Sequence, residues 1–124
     1  MRLKVIRADD TLNHIALAGR LDIDGVKDIQ YEFLHTTTVG VTATIVDLSQ
    51  VTYIASLGMG MLVSAAKHVE RSGARMVLLN PSPFVRKALE LMTLGRVIPI
   101  ADDLPSALER LRPVGEAPTT GPAT

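Results

Sequence analysis

The sequence predicts a single α/β domain built on a mainly parallel sheet of about five strands and four helices. Short apolar, β-branched runs such as Thr44–Leu48 are typical of strands buried on both faces of a parallel sheet. Segments with apolar residues at helical spacing follow these runs. After an initial pair of strands, strand and helix alternate, which favours right-handed crossovers between parallel strands.

The first two strands are expected to form an antiparallel hairpin, because alternating segments around 3–7 and 14–19 are joined by a short polar turn. The first helix is predicted to begin after Asp22 or Asp24, since either carboxylate can accept a free backbone N–H there. It is predicted to end near His35, because Thr36–Thr38 is a β-branched run that disfavours a helix interior.

The central strand is predicted to lead into a corner, Ala55–Gly58, with Ser56 at the expected N-cap of the second helix. The apolar stripe of that helix comprises Leu57, Met61, Leu62, Ala65, Ala66 and Val69. The helix is predicted to stop at Ser72–Gly73, where glycine supplies a left-handed cap.

Three further elements are predicted: a buried strand at Arg75–Leu79, a helix from Ser82–Pro83 to Gly95, and an edge strand at Val97–Ile100. A last helix follows the acidic pair at 102–103. Its buried face is expected to hold Leu104, Ala107, Leu108 and Leu111. The domain is expected to span residues 1–112, and the aperiodic Pro-, Gly-, Thr- and Ala-containing segment 113–124 is expected to be disordered.

Composition excludes several classes of protein. The 124 residues suffice for one domain. Thirteen basic and thirteen acidic residues cancel, which argues against a direct nucleic-acid partner. The absence of cysteine excludes disulfides and thiolate metal sites. No apolar run approaches the roughly 18 residues that span a bilayer, so no membrane insertion is expected. The N-terminus does not resemble a signal peptide, and a cytoplasmic location is expected.

No enzymatic site is predicted. Ser56 at a strand-to-helix turn invites comparison with a nucleophile elbow, but that motif needs glycine at the position of Ile54, and no histidine is expected nearby. The segment around Gly58 and Gly60 has neither the lysine of a Walker phosphate loop nor the third glycine of a dinucleotide-binding loop. The favoured interpretation is that these glycines allow the helix to pack closely on the sheet. The paired aspartates at 22, 24 and 102–103 are interpreted as helix caps rather than metal ligands, and neither a metal nor a cofactor is expected.

The segment 46–62, V-D-L-S-Q-V-T-Y-I-A-S-L-G-M-G-M-L, resembles the signature of STAS domains, the anti-sigma factor antagonists of bacteria. That signature is a strand ending in D-L-S-x-V, a hydrophobic pair, and then D-S-x-G-L-x-x-L. The segment 19–22, G-R-L-D, resembles the family's G-x-L-D, and 83–94 resembles its third-helix region. The resemblance covers about residues 3 to 112.

The resemblance implies that a kinase-type anti-sigma factor binds the protein and phosphorylates Ser56, and that only the unmodified protein binds. It implies no catalytic residue and an indirect effect on transcription. A phosphate of about −1.5 to −2 charge at a helix N-terminus is compatible with the fold. The expected partner-binding residues are Asp22, Ser56, Leu57, Gly58 and Met59.

One position departs from the family, since Ala55 stands where the pattern has aspartate. Ser56 and Asp22 therefore have helix capping as an alternative role. A second functional interpretation is a STAS subunit of a stress-signalling complex or of a lipid-transport ABC system, for which an exposed apolar surface at Leu57, Met59 and Met61 would suit a constitutive partner. A third is a nucleotide or ligand sensor. The sequence leaves open the identity of the anti-sigma and sigma factors and the oligomeric state, with a homodimer as one option.

Overall fold

A computed structural model describes residues 1–38 and 43–111. The described strands are β1 (Arg2–Ala8), β2 (Leu12–Leu21), β3 (Ala43–Ile54), β4 (Met76–Leu79) and β5 (Ile100–Ala101). The described α-helices are α1 (Ile23–Thr38), α2 (Ser56–Arg71), α3 (Pro83–Leu91) and α4 (Leu104–Arg110), with a short 3-10 helix at Leu94–Arg96. The segment 113–124, predicted to be disordered, lies outside the described residues.

The strands form one mixed sheet in the order β1-β2-β3-β4-β5. β1 and β2 are antiparallel, with Leu3 opposite Leu17 and an irregularity between Val5 and Arg7. The other pairs are parallel, and β5 lies at the edge. The predicted fold class, including the initial hairpin, is therefore confirmed.

The sheet separates two hydrophobic clusters, because successive side chains of a strand point to opposite faces. The larger cluster joins β2 and β3 to α1, α2 and α3, and it contains Ile15, Leu17, Val46, Leu48 and the fully buried Phe33. The smaller cluster lies under α4. It comprises Leu12, Ile45, Val77, Leu79, Ala101 and Ala107.

Two predicted boundaries in the first half are wrong. α1 continues through Thr38 rather than ending near His35. The Thr37 hydroxyl donates to the Phe33 carbonyl at 2.9 Å, so the threonine is accommodated within the helix. β3 does not stop at Leu48 but runs to Ile54, which brings the end of the strand directly to the turn before α2.

In the second half of the chain, two predicted helix caps are confirmed, whereas other predicted boundaries and one predicted buried helix face are wrong. Gly73 has φ 91° at the end of α2, and the Asp103 carboxylate accepts the Ser106 N–H at 2.8 Å at the start of α4. β5 covers only Ile100–Ala101, and α3 ends at Leu91 rather than near Gly95. The predicted buried face of α4 is wrong at Leu104 and Leu108, which are 41% and 44% exposed, because this seven-residue helix packs mainly through Ala107.

Candidate functional site

The turn between β3 and α2 lies at the carboxyl ends of the parallel strands β2 and β3. Ala55 is the N-cap residue of α2 in an extended conformation, with φ −105° and ψ 170°. Its N–H donates to the carbonyl of Leu21, the last residue of β2, at 3.0 Å. Its own carbonyl accepts the first helical bond, from the Met59 N–H at 3.1 Å. The first of these bonds attaches the start of α2 to the end of β2, and the second begins the helix.

Ser56 is the first residue of α2 and is exposed. The prediction that Ser56 is the N-cap is wrong by one position, because the Leu21 carbonyl holds the preceding residue in the extended conformation of the cap. Ala55 has no side-chain acceptor, so no side-chain hydrogen bond caps this helix, and its first turn contains no acidic residue. The exposed Ser56 thus lies at the positive end of the dipole of a 16-residue helix whose first turn carries no carboxylate.

Asp22 is the cap of the neighbouring helix α1. Its Oδ1 accepts the Gly25 N–H at 2.9 Å, and its Oδ2 receives the Arg20 Nε at 3.2 Å. The Gly25 N–H is the main cause that lowers the pKa of Asp22 below its usual value; desolvation opposes it, and the Arg20 guanidinium lowers this pKa further. The capping interpretation of Asp22 is confirmed, and the residue remains partly exposed beside the turn.

Asp22 and Ser56 share one edge of the molecule, because each follows a residue of the hydrogen-bonded pair Leu21–Ala55. Gly58 closes the gap between the two segments. A Cβ on Gly58 would lie 2.7 Å from the Leu21 Cγ and 2.8 Å from the Leu21 carbonyl oxygen. The close-packing interpretation is therefore confirmed for Gly58. It is wrong for Gly60, where an added Cβ meets nothing within 4 Å.

The apolar residues of this turn divide between surface and core. Leu57 is 49% exposed, whereas Met59 and Met61 are only 8% and 6% exposed and belong to the large cluster. The apolar surface that was expected to include all three residues is thus represented by Leu57 alone. Of the predicted partner-binding residues, Asp22, Ser56 and Leu57 reach the surface, while Gly58 and Met59 are buried beneath them.

A protein-family model described as "Mlab, STAS domain" matches residues 5–100. The chain belongs to the STAS domain family. An anti-sigma F factor antagonist of Lysinibacillus sphaericus is 32% identical over 82 residues, which are 65% of this chain and 70% of the relative.

Solved STAS structures share the fold. The anti-sigma factor antagonist SpoIIAA in its unphosphorylated form has a TM-score of 0.72 at 24% identity, covering 88% of this chain and 95% of the other. The Bacillus cell fate determinant SpoIIAA in its phosphorylated form has a TM-score of 0.64 at 24% identity, covering 90% and 100%. The family that the segment 46–62 predicts is confirmed.

This STAS domain has a second surface cluster beside the turn that the sequence did not reveal. The guanidinium carbon of Arg20 lies 4.4 Å from the centre of the Tyr53 ring, and the Tyr53 and Phe84 rings stack at 5.7 Å between centroids. Phe84 is 57% exposed. The sequence held one signal of this exposure: Phe84 falls outside the apolar stripe of its own helix, whereas the next residue, Val85, belongs to that stripe.

Within 1–38 and 43–111, no three His, Cys, Asp or Glu side chains are grouped so that they could hold a metal ion. Over the same ranges, no helix is both long and apolar enough to cross a bilayer.

Proposed function

We propose that this STAS domain is an anti-sigma factor antagonist that binds a kinase-type anti-sigma factor and is switched off by phosphorylation of Ser56. The observation that carries the proposal is the exposed Ser56 at the start of α2, with no side-chain cap and no acidic residue in the first turn. The name of the Lysinibacillus relative supports the antagonist role. The role is non-enzymatic, affects transcription indirectly and belongs in the cytoplasm.

The local charges fit a residue that gains a phosphate. A dianion at the start of α2 is stabilised by the partial positive charge of the helix N-terminus. Ala55 adds no negative charge, and the carboxylate of Asp22 is already engaged by Arg20 and the Gly25 N–H. We therefore expect the phosphorylated domain to remain folded.

The same charge would act on the partner. A protein surface that covers Ser56 and Leu57 must remove water from both, and a new dianion there would be costly to desolvate. Binding would be lost without a large conformational change. Gly58 and Met59 would contribute from below, by holding the turn against Leu21 and the core.

Intact mass spectrometry tests the proposal directly. The purified chain is incubated with ATP and each purified kinase-type anti-sigma factor encoded in the source genome. We expect the addition of one phosphoryl group, its loss in Ser56→Ala, and its retention in Ser64→Ala, which removes another exposed serine of α2. The switch would be rejected if the wild-type chain stays unmodified with every one of these kinases while each kinase still phosphorylates its own known antagonist.

A second candidate function is a STAS subunit with a constitutive partner, in a stress-signalling complex or a lipid-transport ABC system. Ala55 and the half-exposed Leu57 favour it, because a permanent interface needs apolar area and no phosphoacceptor. Stoichiometric co-purification with transporter or complex subunits, unaffected by Ser56→Ala, would decide for this function. Calorimetry with ATP and GTP tests the ligand-sensor alternative.

A further inference from the structure

The Ser56 turn continues into a stack of three side chains, Arg20, Tyr53 and Phe84, here called the aromatic stack. They come from the ends of β2 and β3 and the start of α3. Arg20 lies over one face of Tyr53 at 4.4 Å, and Phe84 stacks against the same residue at 5.7 Å. The chain contains only two tyrosines and two phenylalanines, so half of its aromatic residues meet at this place.

The aromatic stack is held from several sides. Arg20 and Tyr53 are paired in the register of β2 and β3, and the Arg20 Nε is bound by the Asp22 carboxylate at 3.2 Å. The start of α3 is attached to β3 by the Ser82 hydroxyl, which donates to the Val51 carbonyl at 2.6 Å. Side chains that are fixed before binding lose little entropy when a partner docks.

The aromatic stack still offers unused binding groups. The Arg20 side chain is 62% exposed, and among the described residues its only hydrogen bond is made through Nε. Its two Nη groups can therefore donate to a carboxylate in parallel. Beside them, the Phe84 ring is 57% exposed and apolar. Arginine and aromatic side chains of this kind are enriched among the residues that dominate binding energy in protein interfaces.

We propose that the aromatic stack is the affinity-determining part of the docking surface for the protein partner that binds at Ser56. Arg20 receives a partner carboxylate, and Phe84 receives an adjacent apolar side chain. This inference rests on the proposed function, because it places the same partner on both surfaces. They are continuous, since Asp22 bonds to Arg20 and directly follows Leu21, whose carbonyl accepts the Ala55 N–H.

The two surfaces then have separate tasks. Ser56 carries the switch, and the aromatic stack supplies contact area and charge recognition. Truncating the aromatic stack should therefore weaken binding of the unphosphorylated chain and raise the KM for phosphorylation, while kcat at saturation stays near wild type. A merely structural role for Phe84 would lower the melting temperature without this split between KM and kcat.

The test measures binding of the full unphosphorylated chain to the anti-sigma factor that phosphorylates it, by calorimetry. Phe84→Ala and Arg20→Met are each expected to weaken Kd by about tenfold or more, as for residues that dominate an interface. Tyr31→Ala is the matched control, because Tyr31 is also an exposed, stacked aromatic, 85% exposed and paired with His35 on α1. It should change Kd by less than about twofold.

The outcomes separate the two proposals. If Phe84→Ala and Arg20→Met melt and bind like the wild type while Ser56→Asp abolishes binding, the aromatic stack is not the anchor and the switch stands. If the wild type neither binds nor is phosphorylated by any such factor, both proposals fail. Arg20→Met should also flatten the dependence of Kd on salt, because it removes the charge offered to the partner.

Discussion

Leu21 holds the Ser56 turn through two contacts, one with Ala55 and one with Gly58. The Leu21 carbonyl accepts the Ala55 N–H at 3.0 Å, and the side chain and carbonyl of the same residue leave no room for a Cβ on Gly58. The end of β2 therefore determines where α2 begins. Because Asp22 follows Leu21 and Ser56 follows Ala55, the spacing of the two surface residues depends on this contact.

Gly58→Ala is expected to destabilise the domain. The new Cβ would lie 2.7–2.8 Å from Leu21 atoms, including its carbonyl oxygen, so the backbone of α2 or β2 must shift. Such overpacking costs about 1–3 kcal/mol, which exceeds the gain of about 1 kcal/mol from replacing a helical glycine by alanine. Urea unfolding monitored by circular dichroism measures the difference.

Gly60→Ala is the matched control, two residues further along the same helix. An added Cβ at this position meets nothing within 4 Å, so only the gain in helix propensity remains. We expect stability to rise by up to about 1 kcal/mol. Equal effects of the two substitutions would contradict the contact between Gly58 and Leu21.

Ser56→Asp is expected to leave the domain folded and slightly more stable. A carboxylate in the first turn of α2 interacts favourably with the helix N-terminus, worth about 0.3–1 kcal/mol at low salt. Ser64→Asp, at an exposed position in the middle of the same helix, should give no such gain. Thermal melts at low and high salt check both variants, and the gain of Ser56→Asp should shrink as salt screens it. A clear loss of stability would exclude a phosphate at this position.

Asp22 is expected to make stability depend on acid pH. Its folded pKa lies below the ordinary value because the carboxylate accepts the Gly25 N–H and pairs with Arg20. The stabilisation is therefore fully present above the unfolded pKa and is lost as pH falls through the folded pKa. Asp22→Asn keeps an acceptor for the cap but removes the charge. Melting temperatures of wild type and variant should differ near neutral pH and converge in acid. A difference in melting temperature that grows as the pH falls would contradict a stabilising role of the charged Asp22 carboxylate.

The fold and the place of the turn before α2 could be predicted because they depend on local periodicity. The alternation in β2 and the apolar run at the start of β3 have the periods of strands, and Asp22 and Gly73 have the chemistry of helix ends. The position of Ser56 relative to the cap could not be predicted in the same way. It depends on a hydrogen bond between Ala55 and Leu21, which are 34 positions apart in the chain.

Burial was predicted less well than helix position. Helical spacing groups Leu57 with Met61, but Leu57, the second residue of α2, remains half exposed while Met61 is buried. The aromatic stack could not be predicted at all, because Arg20, Tyr53 and Phe84 lie on three segments that meet only in the folded chain. Periodicity indicates which face of an element is apolar, but not how far its neighbours cover it.

Ser82→Ala is expected to weaken both stability and partner binding. Ser82 precedes α3 at the N-cap position, yet its hydroxyl does not cap the helix and donates instead to the Val51 carbonyl at 2.6 Å. Losing a partly buried hydrogen bond of this kind costs about 0.5–1.5 kcal/mol. Because the bond attaches the start of α3 to β3, its loss should also loosen the contact of Phe84 with Tyr53 and reduce affinity for the partner.

Ser64→Ala, which removes an exposed hydroxyl from α2, should have neither effect. Denaturant unfolding and calorimetry on the two variants measure both quantities, and unchanged stability in Ser82→Ala would show that the bond contributes nothing to the attachment of α3.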